Sequence, residues 1–128
     1  MAKHGTLGLA LALALGIAAC GGDPMKDANA ALAARDLPKA ESLLQALVQA
    51  KPDLRVAHMD YFVLLRYLAL QGNAAQQDAY QNKSITEFDW LVKSYGLAAD
   101  YRDMEGSLKA NPQAAADLAA ARKPLYGE

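Results

Sequence analysis

Alanine occupies 28 of the 128 positions, and its spacing directs this chain toward helices. Alanine is the strongest helix former and adds almost no side-chain bulk, so helices rich in it are thin and pack closely. Between proline and glycine stops, apolar residues recur at three- and four-residue intervals, as on one face of a helix. No run alternates with period two, and valine, isoleucine and threonine are scarce. The expectation is one all-α domain over residues 25–124, built of antiparallel helical hairpins with five or six helices, and a loose tail at 125–128.

The first helix reads from Pro24 to Ala34, with Ala28, Ala31, Leu32 and Ala34 as its stripe. Arg35-Asp36 is a turn, Asp36 an N-cap, and the second helix runs to about Ala50. Pro52 ends it, because proline pushes its predecessor out of helical geometry. Leu54 to Gln71 is apolar nearly all round, which marks a central, buried helix. Residues 73–83 are polar and read as a short helix or an exposed connection. Ser84-Ile85-Thr86-Glu87 fits a capping box that starts the next helix, with Gly96 as its stop. Leu97 to Ala110 reads as a fifth helix, and Gln113 to Arg122 as a short alanine helix closed by Pro124.

Chemistry-bearing patterns are sparse. Thirteen basic against 14 acidic residues give a net charge of −1, which excludes a basic nucleic-acid surface. One cysteine excludes an internal disulfide, and two histidines offer no histidine-rich metal site, so neither metal nor cofactor is expected. His58 and Asp60 stand two apart on a helix and so do not face each other; His58 reads as a partly buried or surface residue. Asp100, Asp103 and Glu105 lack the glycine turn of a calcium loop and read as a solvated face. No serine belongs to a nucleophile pattern. The chain reads as a non-enzyme. Aromatics begin only at Tyr61, and Tyr80, Trp90, Tyr95 and Tyr101 are the candidates for a partner surface, with core filling as the alternative.

The N-terminus is more specific. After Lys3 and His4, Thr6 to Ala19 forms 14 apolar or small residues, the length of a secretory h-region and too short to span a bilayer. Ile17-Ala18-Ala19-Cys20 closes it and resembles the lipobox of bacterial lipoproteins. That resemblance implies cleavage of residues 1–19, acylation of the Cys20 thiol, and a short tether over 20–24. Gly21 follows the cysteine where the enteric sorting rule places an aspartate for inner-membrane retention. The resemblance therefore implies an outer-membrane anchor facing the periplasm.

Residues 21–54 also resemble one tetratricopeptide repeat, through Ala28, Ala40, Leu44, Leu47 and Pro52. Pro24, Asp27 and Ala31 depart from that pattern, and no clean second repeat follows. The fold expectation is thus tetratricopeptide-like or a small helical bundle. Lipobox and helical hairpin together imply a lipid-anchored interaction module whose partners are the membrane and an envelope protein. The alternative is an immunity- or inhibitor-type lipoprotein. A small hydrolase would need His58 and an acidic group to converge in a pocket.

Overall fold

A computed structural model describes residues 22–127; the lipobox and Cys20 lie outside these residues. Six helices and no strand occur among them: α1 (Lys26–Ala33), α2 (Leu37–Ala50), α3 (Arg55–Ala69), α4 (Ala74–Tyr95), α5 (Met104–Lys109) and α6 (Pro112–Tyr126). The chain is an all-α bundle of helical hairpins: α1 packs on α2, α3 on α4, and α5 on α6. Helix α3 also touches α2 and α6, which makes it the centre of the bundle. No helix among the described residues is long and apolar enough to cross a membrane.

The centrality of α3 follows from its sequence. Phe62, Val63, Leu64 and Leu65 are four consecutive residues with no exposed surface, which one helix achieves only when covered on every side. Each such side chain contributes roughly 1.5–3 kcal/mol on leaving water. Ala28, Ala31 and Ala40 are buried where α1 meets α2, so alanine sets a close approach there.

The α1–α2 turn has an unusual residue at its pivot. Arg35 takes the left-handed conformation, with φ 60°, a position that favours glycine. Its backbone N–H donates to Leu32 and that of Asp36 to Ala31, closing a Schellman turn. A side chain there costs about 1–2 kcal/mol. The guanidinium offsets that strain: it donates to the carbonyls of Pro124 (3.2 Å) and Leu125 (3.0 Å) and to the Tyr67 hydroxyl (2.6 Å).

Three expectations need correction. The helix expected to start at Ser84 starts at Ala74. Asn73 caps it in a reciprocal pair with Gln76, and Ser84 lies buried in mid-helix with its hydroxyl donating to the Gln81 carbonyl at 2.7 Å. The polar run 73–83 forms the exposed first turns of this helix, where no apolar stripe is required. The helix expected over Leu97–Ala110 is confined to α5, because Asp103 caps it by accepting from the Gly106 N–H at 3.0 Å. The tail expected to be loose is helical to Tyr126, and Leu125 is buried in the core.

Helix α6 therefore passes through Pro124, which in a helix interior costs about 3 kcal/mol. Long-range contacts hold this last turn. Arg35 occupies its carbonyls, Tyr126 meets Tyr67 edge-on at 5.4 Å, and Arg122 lies 4.1 Å over the Tyr126 ring. Arg122 also grips Glu105 with bonds of 2.9 Å to both carboxylate oxygens.

Candidate functional site

Two polar arrangements flank α3 on different sides. The first is built around His58, which is buried at 5% exposure. Its Nδ1 stands 2.5 Å from Glu87 Oε1 on α4, and its Nε2 stands 2.7 Å from the Pro52 carbonyl before α3. Both ring nitrogens are thus engaged, one by a side chain of α4 and the other by the backbone before α3. Glu87 is buried as well, at 8% exposure. Trp90, one turn further along α4, stacks on the imidazole at 3.7 Å between centroids and 14° between planes. The stack covers one face of the imidazole ring with apolar surface.

This arrangement is closed. His58 lines neither of the clefts described below, and each of its nitrogens is already engaged. A histidine and an acidic group do converge here, as a joint between α3 and α4, and neither lines either of the two clefts described below.

The second arrangement is open. A cleft of about 580 Å³ lies between α1 with the residues just before it, the first turns of α3 and the second half of α6. This is within the size range of small-ligand sites. Met25, Leu32 and Val56 give it apolar walls, and Asp23, Asp60, Asp117 and Lys123 add charge. A smaller cleft of about 190 Å³ lies against α6 beside Leu118 and Arg122.

Asp60 and Asp117 are unlike each other. Asp117 is fully engaged: Oδ2 accepts from the Tyr95 hydroxyl at 2.5 Å, and Oδ1 from the Gln113 amide at 2.9 Å. Burial, then the Asp117 hydrogen bond and charge, hold the Tyr95 hydroxyl well above its usual range. Arg55 lies 4.7 Å over the same ring. Asp60, partly buried on α3, has no hydrogen-bond partner within the described chain. Burial in the cleft, and then the charge of Asp117, push its carboxyl from 3.8 up to about 7. Near neutral pH it is therefore divided between acid and carboxylate. Among the described residues no group of three histidine, cysteine or acidic side chains is placed to hold a metal ion.

The four aromatic candidates are dispersed. Tyr80 donates to Glu41 at 3.3 Å, Trp90 covers His58, and Tyr95 is buried against Asp117. Tyr101 alone is broadly exposed, at 54%, although its hydroxyl donates to Asp89 at 2.6 Å and its ring meets Phe88 edge-on. No ring contact or hydrogen bond joins any of the four to another among the described residues. The acidic trio is likewise put to local use: Asp100 accepts from the Arg102 amide, Asp103 caps α5, and Glu105 holds Arg122.

Sequence reasoning did not find Asp60. Its only sequence signal is that it is the one acidic residue of a mostly apolar helix, four positions after Val56, which places both on one face. No protein-family model matches the chain, and neither a curated protein nor a solved structure matches it.

Proposed function

We propose that this chain is a lipid-anchored protein-interaction module of the bacterial cell envelope, held at the outer membrane through Cys20 and facing the periplasm. Its role would be that of an adaptor or accessory in an envelope assembly, without catalysis. The observation that carries the reading is Ile17-Ala18-Ala19-Cys20 at the end of a 14-residue apolar run. The residue types match the chemistry: small side chains suit a peptidase cleft, and the thiol is the nucleophile for a thioether. Two or three acyl chains give a stable anchor, at about 0.8 kcal/mol for each buried methylene.

The fold is compatible with such a role. The helical unit begins within a few residues of Cys20, so it would stay close to the bilayer. The large cleft starts at the same end, since Asp23 and Met25 line it. Metabolic labelling with an alkyne fatty acid tests the anchor. The full chain should take up label and remain in the membrane fraction, and Cys20→Ser should lose both. A Cys20→Ser chain that is processed and still membrane-bound would overturn the reading.

A further inference from the structure

The last turns of α3 and α6 gather arginine and tyrosine on an open face. Leu70 follows Arg66 by four residues and Tyr67 by three, so it lies on their side of α3. It is 75% exposed, the most exposed large apolar side chain among the described residues. Tyr126 of α6 meets Tyr67 edge-on, and the Arg35 guanidinium lies 5.3 Å from the centre of the Tyr67 ring. Burial pushes the Tyr126 hydroxyl above its usual range, and the charges of Arg122 and then Arg66 oppose that push, so both guanidiniums stand near this ring. Three guanidiniums thus surround two tyrosine rings and a leucine left in water.

The donors of this face are only partly spent. Arg35 uses Nη1 on the Pro124 and Leu125 carbonyls and Nη2 on Tyr67, and Arg66 uses Nη1 on Gln81 at 2.9 Å. A guanidinium carries further N–H donors on Nε and Nη2. Neither Arg35 nor Arg66 forms an ion pair among the described residues, and Glu105 is engaged by Arg122. Bracing α6 explains the Nη1 contacts of Arg35, but it explains neither the remaining donors of Arg66 nor the exposure of Leu70. Uncompensated cations also stand out in a chain whose net charge is −1. Charge complementarity names the occupant. Guanidinium groups take carboxylates in paired bonds, and arginine with tyrosine dominates the energetics of protein contacts. We propose that this face docks an acidic segment of an envelope protein, its carboxylates on Arg35 and Arg66 and an adjoining apolar side chain on Leu70 and Tyr67. This deepens the interaction-module reading and rests on it for the envelope as the source of the partner.

The test adds the capped tripeptide Glu-Leu-Glu to the full chain in zwitterionic detergent micelles and follows the amide resonances of Arg66, Tyr67 and Leu70. Saturable shifts are expected at these amides, with affinity roughly tenfold lower for the capped tripeptide Gln-Leu-Gln. High salt should weaken the acidic peptide and leave the neutral one unchanged. Arg66→Gln should bind roughly tenfold more weakly. Leu70→Ser should also weaken binding while melting at the same temperature, because its side chain makes little of the core. Equal affinity for the two peptides, no shifts at these amides, or unchanged binding by both variants would each overturn the proposal. Shifts from short-chain phosphatidylglycerol but not from Glu-Leu-Glu would give the face to a lipid headgroup and overturn it as well. In-cell photo-crosslinking separates the proposal from the reading beneath it. A probe at Leu70 should capture an acidic segment of a partner, and Arg66→Gln should lose that crosslink. Capture from Val56 and not from Leu70 would refute this face while leaving the interaction module standing.

Discussion

His58 and Asp60 lie two residues apart on one helix and meet opposite fates. His58 is more deeply buried, yet both its nitrogens are satisfied, by Glu87 and by the Pro52 carbonyl, and Trp90 covers its face. Asp60 is less buried, has no partner and shares its surroundings with another carboxylate. The difference teaches that depth alone does not set the energetic standing of a polar group. A buried group with every bond made holds helices together, whereas a half-covered carboxyl beside a second acid is penalised in its charged form.

The largest expected effect tests the closed side. Glu87→Ala leaves His58 Nδ1 buried without its partner and should reduce unfolding free energy by about 3–5 kcal/mol in urea titrations. Glu87→Gln should lose far less, because the amide can donate to a neutral ring that still donates to the Pro52 carbonyl. Equal losses in the two variants would contradict the bonding described for this joint.

The open side should respond in the opposite direction. Folded Asp60 keeps its proton up to about pH 7, whereas the unfolded chain loses it near 3.8. The folded state therefore binds the extra proton between those values, and stability falls as pH rises through that window. Asp60→Asn removes the loss. It should stabilise the protein by about 2–4 kcal/mol at pH 8, an effect that shrinks toward zero near pH 4. Thermal melts across pH 4–8 check this, and a destabilised Asn variant at pH 8 would erase the contrast between the two faces.

Two smaller effects sharpen the comparison. Arg35 braces the last turn of α6, which forms one wall of the cleft through Lys123 and Pro124. Arg35→Ala should lose about 2 kcal/mol, because the strained backbone stays and the bonds go. Arg35→Gly should lose less, since glycine adopts φ 60° freely. Gly106→Ala is a control outside both faces. Its new methyl would fall on the Asp103 carboxylate that caps α5, so denaturant titration should show a loss of about 1 kcal/mol with the cleft unchanged.

Much of the fold was legible, for local reasons. Asp36 as a cap, the turn at Arg35, the central helix and the stop at Gly96 all depend on neighbours within a few residues. The failures share a different cause. Ser84 fits a capping pattern, but Asn73 with Gln76 provides a cap eleven residues earlier, and a polar stretch needs no stripe when it lies outside the core. Pro124 lacks the N–H that would continue the helix, and the last turn is held instead by distant contacts, Arg35 among them from 89 positions away. The candidate site was less legible still. His58 meets Glu87 across 29 positions, and Asp60 feels Asp117 across a still longer gap. Pairing at such distances is set by which helices pack together, and no local pattern encodes it.

The central claim is that Asp60 stands in the cleft as an unpaired carboxyl beside a charged one. The most direct measurement is the carboxyl carbon resonance of Asp60 followed through a pH titration of the full chain. The account predicts a midpoint near 7 that moves down in Asp117→Asn, because part of the upward push comes from that charge. A midpoint near 4, unmoved by Asp117→Asn, would contradict it.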